Sequence, residues 1–256
     1  QTDLLQSANF SLLSEVKLKE ENSTFGTRNS IHFKDAGINY QRVNVGLREK
    51  GKSDLSTRLL YEGDKENQSD KMYWKGEDIN RYWIATTTNR FCRVHYRTFI
   101  KPNEVVHLND EVFSIAPKIL VRQTADHVIA ALDETGVWFG RSILSMYCDD
   151  SEQHDIRYFL ALLNSRLFTF YYQEMVKEKG RVFAQVKIEN LKKLPLRLIN
   201  FDDDSEVNLH NRIVLLVDQI INLKKLEPQT PLEARQLSDH TQAIEKEIDT
   251  IVDKLY

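Results

Sequence analysis

Arg157-Tyr-Phe-Leu-Ala-Leu-Leu-Asn-Ser-Arg-Leu-Phe-Thr-Phe-Tyr171 leads through Lys177-Glu-Lys-Gly180-Arg-Val-Phe-Ala-Gln185-Val-Lys187 to Ile188-Glu-Asn-Leu-Lys-Lys-Leu-Pro195-Leu-Arg197. The character of the chain changes twice along this stretch. Ile156, Phe159, Leu160, Leu163, Leu167, Phe170 and Tyr171 recur at helical spacing, which predicts one amphipathic helix. Asp150 with Gln153 three residues later has the form of a capping box at its start. The apolar face then stops, and a basic, Gly-hinged segment follows. Ile188 to Leu196 closes the stretch with a short helical turn, a Pro stop and an extended apolar exit. A helix that delivers a cationic polar loop is recognition architecture.

Upstream, the periodicity changes from helical to alternating. Ile31-His-Phe33 and Tyr40-Gln-Arg-Val43 alternate in part, Leu59-Leu60-Tyr61 reads as a strand, and Lys71-Met-Tyr-Trp74 precedes a turn at Gly76. Glu62 to Lys71 reads as a surface loop. Arg93, His95 and Arg97 alternate with Val94 and Tyr96, which predicts a strand with one cationic face. Lys118–Thr124, His127–Leu132 and Val137–Tyr147 read as a meander, the last interrupted like a bulge at Gly140-Arg-Ser142. Downstream, Leu209, Ile213, Leu216, Ile220 and Leu223 repeat in steps of three and four, as do Leu237, Thr241, Ile244, Ile248, Ile251 and Leu255. Glu227-Pro-Gln-Thr-Pro231 separates them. The fold expected is α+β: a mixed, mainly antiparallel β-rich domain with packed helices over 1–200, then an antiparallel, coiled-coil-like helical hairpin over 206–256.

Charge is unevenly distributed. The whole chain of 256 residues carries a net charge of -3, but residues 71–200 hold 19 Lys+Arg against 15 Asp+Glu. Residues 201–256 hold 6 against 12, so the hairpin is acidic and suits packing on protein. No apolar run approaches the ~18 residues of a membrane span. Gln1 opens the chain without a signal peptide or an initiator Met, which points to a fragment. Cys92 and Cys148 make no disulfide framework, in keeping with a cytoplasmic setting.

Catalytic signatures are missing from the sequence. There is no Gly-rich phosphate loop, no nucleophile elbow, and no Asn-Pro-Pro-aromatic loop of the kind that holds a flipped adenine. The seven histidines have no zinc-ligand spacing. Asp3, Glu15 and Lys17 echo a metal-dependent nuclease triad, a pattern that charged chains match by chance. The chemistry that remains is binding. Arg and Lys read guanine in the major groove, and Asn and Gln read adenine. Lys179, Arg181, Gln185 and Lys187 supply both kinds in one loop.

Five segments, in order, resemble the TaqI-like specificity domain, the C-terminal target-recognition domain of fused type II restriction–modification enzymes. They are Tyr73-Trp-Lys-Gly-Glu-Asp-Ile-Asn-Arg-Tyr82, Pro117-Lys-Ile-Leu-Val-Arg-Gln-Thr124, Leu160-Ala-Leu-Leu-Asn-Ser-Arg-Leu167, Val182-Phe-Ala-Gln-Val-Lys-Ile-Glu-Asn-Leu-Lys-Lys-Leu-Pro-Leu196 and Ile248-Asp-Thr-Ile-Val-Asp-Lys-Leu-Tyr256. The family is also similar to the DNA-reading half of type I specificity subunits. The resemblance implies sequence-specific recognition of double-stranded DNA by a chain with no catalysis or cofactor of its own. A methyltransferase domain of the same parent chain, dependent on S-adenosylmethionine, would supply the chemistry, often with a Mg²⁺-dependent endonuclease. It adds Lys75, Arg81, Arg122 and Arg141 to Lys179, Arg181, Gln185 and Lys187 as the DNA-facing side. The alternative is an assembly module that docks a partner through the acidic hairpin.

Overall fold

The computed structural model describes residues 23–46, 48, 54–85, 89–176 and 184–256. Cα proximity divides the chain into two compact units: residues 33–125 with 129–147, and residues 1–32 with 126–128 and 148–256.

The first unit is the β-rich one. Strands β1 (Ile31–Lys34), β2 (Asn39–Arg42), β3 (Leu60–Glu62), β4 (Lys71–Trp74), β5 (Arg90–Cys92), β6 (Glu104–His107), β7 (Lys118–Arg122), β8 (Ala130–Asp133), β9 (Trp138–Phe139) and β10 (Ile143–Cys148) follow in chain order. Helices α1 (Leu55–Leu59) and α2 (Asp110–Ser114) are short insertions among them. β10, β7 and β8 form an antiparallel sheet, in which Ile143 opposes Arg122 and Lys118 opposes Asp133. Phe33 and Lys34 of β1 border it; Ser145 Oγ donates to Lys34 O at 3.3 Å. β3, β5, β4 and β9 form a second sheet, parallel only at β4–β9, and β2 pairs antiparallel with β6.

Its core follows from the alternation. Leu120, Ala131 and Ile143, from one face of the β10-β7-β8 sheet, cluster with Ile38, Tyr73, Trp74, Phe113 and Phe139. Phe113 stacks on Trp138 and meets Phe139 edge-on, with ring centroids 5.5 and 4.8 Å apart. One ion pair is buried with this core. Lys118 Nζ lies 2.6 Å from Asp133 Oδ2, both side chains almost wholly excluded from solvent. The ammonium also donates to Phe113 O and Ile115 O, and Asp133 accepts the backbone N–H groups of Thr135, Gly136 and Val137. Every buried polar atom of the pair therefore has a partner, the condition for tolerating charge in a core. Burial pulls the Lys118 ammonium below its ordinary pKa, against the opposing pull of Asp133.

The second unit is helical: α3 (Ile156–Asn164), α4 (Arg166–Val176), α5 (Ile188–Leu191), α6 (Asp204–Lys224) and α7 (Pro231–Leu255). The expected single helix is two. Ser165 breaks it with extended backbone, φ -65° and ψ 156°. Its hydroxyl donates to Leu162 O at 2.8 Å and accepts Phe168 N–H at 3.2 Å, closing one helix and capping the next. The start also moves. Asp155 caps α3, its carboxylate accepting Arg157 N–H at 2.8 Å, so the Asp150–Gln153 box lies ahead of the helix.

Helices α6 and α7 are the anticipated hairpin, with Ile213, Leu216, Ile220, Ile244, Ile248 and Ile251 buried. The chain end is held too: Tyr256 Oη accepts Arg197 N–H and donates to Pro195 O. His154 ties further segments together. Its Nε2 accepts Ile199 N–H at 2.9 Å, so the ring proton sits on Nδ1, 2.7 Å from Glu152 Oε1. Burial holds the His154 pKa below its ordinary value. Glu152 also receives Arg28 at 2.8 and 3.0 Å, and Ser30.

Three strand expectations shift. Leu59 ends α1 instead of opening β3, because Leu55 and Leu59 bury one helical turn apart. The cationic strand stops at Cys92; the chain turns into a 3-10 helix at Tyr96–Phe99. Arg93 donates from Nε and one terminal nitrogen to Glu66 and from the other to Arg58 O, with its guanidinium 4.5 Å from the Tyr61 ring centroid, so it is a structural residue. β8 begins at Ala130, not His127.

Candidate nucleic-acid interface

Four of the expected site residues, Lys75, Arg81, Arg122 and Arg141, lie in the β-rich unit. They are far apart in sequence, yet hydrogen bonds gather their segments at one end of the β7–β8 hairpin, opposite the Lys118–Asp133 pair. Ser142 is the junction. Its Oγ accepts Gly76 N–H at 2.8 Å and its carbonyl accepts Gln123 N–H at 2.9 Å. Lys75, Arg122 and Arg141 are thus each one residue removed from a group bonded to, or part of, this junction. Arg81 joins through its neighbour: Tyr82 N–H donates to Ala130 O at 2.7 Å, and Arg122 N–H to Ile129 O at 2.9 Å.

The local sequence explains why the corner closes so tightly. A Cβ on Gly76 would stand 2.8 Å from Ser142 O, and one on Gly140 would fall onto the Tyr73 hydroxyl. Only glycine permits these approaches. Asn80 and Trp83 exchange backbone hydrogen bonds across a two-residue turn, with Arg81 and Tyr82 at its tip. Tyr82 takes φ 72° there, a conformation unfavourable for a bulky residue, and its side chain is buried. Burial of that ring and its N–H bond offset the backbone cost, and they fix the turn that carries Arg81.

The cations differ in how committed they are. Arg122 Nε donates to Thr124 O at 3.1 Å. Arg81 sits 5.7 Å from the Tyr82 ring centroid. Arg141 is exposed and reaches Asn39 Oδ1 at 3.4 Å, a long contact. Lys75 is held by its backbone, whose N–H donates to Asp78 Oδ2 at 2.7 Å, while Asp78 itself is neutralised by Arg90. A junction of several cations on a rigid backbone frame is suited to phosphate oxygens and other anions or acceptors.

Of the loop residues, Lys179 and Arg181 lie outside the described residues, as do Asp3, Glu15 and Lys17. Gln185 and Lys187 belong to the helical unit. Ala184 and Val186 are buried while Gln185 and Lys187 are exposed, so extended alternation turns the two polar side chains outward. The sequence reading missed Ser142, Gln123 and Asn39. Single polar residues carry no pattern; the pairing of β10 with β7 places Ser142 and Gln123 beside the cations, and the Ile38 N–H bond to Phe139 O at 2.8 Å brings Asn39 to Arg141. Among the described residues, no group of His, Cys, Asp and Glu is arranged to hold a metal ion, and no helix is long and apolar enough to cross a membrane.

The model of the TaqI-like C-terminal specificity domain matches residues 71–196, just under half of the chain. No curated protein matches the sequence. Among solved structures, the chain is similar to the type IIL restriction–modification enzyme MmeI, a structure in complex with DNA. Identity is 12% and TM-score 0.50, over 86% of this chain and 32% of that one. The chain therefore spans about a third of the MmeI chain, and the likeness is one of fold. The HsdS subunit from Thermoanaerobacter tengcongensis aligns at 13% identity and TM-score 0.32, over 97% and 51% of the two chains.

Proposed function

From a chain whose residues 71–196 match the model of the TaqI-like C-terminal specificity domain, we propose sequence-specific recognition of duplex DNA on behalf of a restriction–modification enzyme. The observation that carries this reading is the Ser142 junction, which assembles Lys75, Arg81, Arg122 and Arg141 from four separate segments within the matched stretch. A solvated charge needs no such assembly; a polyanion does. The exposed Gln185 and Lys187 are proposed as further DNA contacts, with Lys179 and Arg181. In this reading the chain reads and does not react. It positions a methyltransferase or endonuclease carried elsewhere on the parent chain, and S-adenosylmethionine and Mg²⁺ belong to those domains.

Phosphate neutralisation makes binding salt-dependent, with a slope of about -0.9 in log K per log salt for each contact. Anisotropy titration of labelled duplexes at low salt tests the reading. The Lys75→Ala/Arg122→Ala variant is expected to weaken binding to every duplex and to reduce the slope by about 2. No duplex binding by the full chain, or an unchanged slope in the variant, overturns it.

The second reading, docking of a partner protein, has one observation in its favour. Leu226 and Leu232 flank the tip of the acidic α6–α7 hairpin, 55% and 66% exposed. Solution mass of the full chain mixed with the separately expressed remainder of its parent, against the Leu226→Ser/Leu232→Ser variant, tests it. Equal complex formation by both removes this reading.

A further inference from the structure

The Ser142 junction also holds groups that phosphate binding does not use. The β10–β7 register opposes Ile143 to Arg122, and the Gln123 N–H to Ser142 O bond continues that pairing by one step. Gln123 therefore lies across the ladder from Ser142, the neighbour of Arg141. Residues 140–143 form a turn, closed by Ile143 N–H to Gly140 O at 3.1 Å, so Arg141 stands at its tip, one residue from Ser142. Opposed Cα atoms in an antiparallel pair are about 5.5 Å apart and consecutive Cα atoms about 3.8 Å. Gln123 and Arg141 are thus within about 9 Å of each other at the backbone, less than three base-pair steps of about 3.4 Å.

Both backbone groups of Gln123 are occupied: the N–H by Ser142 O, the carbonyl by Ala125 N–H at 3.2 Å. Its half-buried side-chain amide has no hydrogen-bond partner among the described residues. A donor and an acceptor are thereby held on a fixed frame and left unspent. Arg141 is similar. Its guanidinium is exposed, and its contact to Asn39 Oδ1 is long enough to yield to a better acceptor. The other cations of the junction are less suited to reading bases. Lys75 is a point charge without a planar fork, and Arg122 already uses Nε on Thr124 O.

We propose that Gln123 and Arg141 are a base-reading pair, with Gln123 taking adenine and Arg141 taking guanine in the major groove of duplex DNA. The proposal rests on the DNA-binding reading above and adds which residues carry its specificity. An amide matches the adenine N6/N7 edge and a guanidinium the guanine O6/N7 edge, each through two hydrogen bonds. Lys75, Arg81 and Arg122 then hold the phosphates on either side, and this division separates positioning from reading.

The test is selection of bound duplexes from a random-sequence library by the full chain, repeated with Gln123→Ala, Gln123→Glu and Arg141→Lys. Gln123→Ala is expected to lose preference for adenine at one position by about 5- to 150-fold, with an unchanged salt slope. Gln123→Glu, nearly the same shape, is expected to prefer cytosine there, because a carboxylate accepts from cytosine N4. Arg141→Lys keeps the charge and loses the fork, so guanine preference falls while affinity for mixed DNA holds. Selection of the wild-type site by all three variants, with undiminished discrimination, overturns the assignment and leaves DNA binding standing. Failure of the unmodified chain to bind any duplex overturns the DNA reading as well.

Discussion

Replacing Asp133 by Ala should cost the β-rich unit about 3–5 kcal/mol. The magnitude follows from what is left behind. Lys118 is fully buried, and its other two partners, Phe113 O and Ile115 O, are neutral carbonyls. Without Asp133, an ammonium stands in the core with no counter-charge, or must lose its proton to remain there. The three backbone N–H groups of the 135–137 turn lose their acceptor too, but that segment borders solvent and water can replace part of the bonding. The orphaned charge therefore dominates. Against a total stability of about 5–15 kcal/mol, the loss removes about a fifth or more. Lys118→Met should cost less, because Asp133 keeps its backbone donors. The double variant should be more stable than Asp133→Ala alone, since no buried charge is then unpaired. Urea denaturation followed by tryptophan fluorescence is the assay. Trp74, Trp83 and Trp138 all lie in the β-rich unit, so the signal reports that unit. A loss under about 1 kcal/mol for Asp133→Ala, or strict additivity in the double variant, would refute the reasoning.

Three other outcomes are expected. Burial raises the Glu152 pKa, but hydrogen bonds from Arg28, Ser30 and His154 outweigh it and bring the value from an ordinary 4.5 to about 2. The folded state thus favours the anion, so its stabilisation is complete above pH 4.5 and is lost as pH falls toward 2, a contribution of about 3 kcal/mol. Acid titration monitored by circular dichroism should show a shallower acid limb over that window for Glu152→Gln, which is also less stable at pH 7. Ser165→Ala removes the group that ends α3 and caps α4, at a cost of about 1 kcal/mol read from the thermal midpoint. Gly140→Ala puts a methyl onto the Tyr73 hydroxyl and should destabilise by about 1–3 kcal/mol; adding Tyr73→Phe should recover part of that in urea titrations, since it removes the clashing oxygen.

Legibility in the sequence followed the period of each signal. The α6–α7 hairpin was plain because its apolar spacing runs over many turns. The α3–α4 break was not, because Ser165 keeps the apolar period in register while its hydroxyl rewrites the backbone bonding. Arg93 shows the opposite failure. Period two suggested a free cationic face, but Glu66 and the Tyr61 ring, distant in sequence, had already claimed the side chain.

By itself, the sequence determined the class of the fold, α+β with a helical end, and the residue types available for recognition. Hydrophobic periodicity is local, and so is the chemistry of a side chain. Tertiary structure alone decided which cations stand together and which are spent. Ser142 joins segments separated by up to 66 positions through two hydrogen bonds. No local pattern records a hydrogen bond between strangers, because its partner is chosen by strand pairing and register.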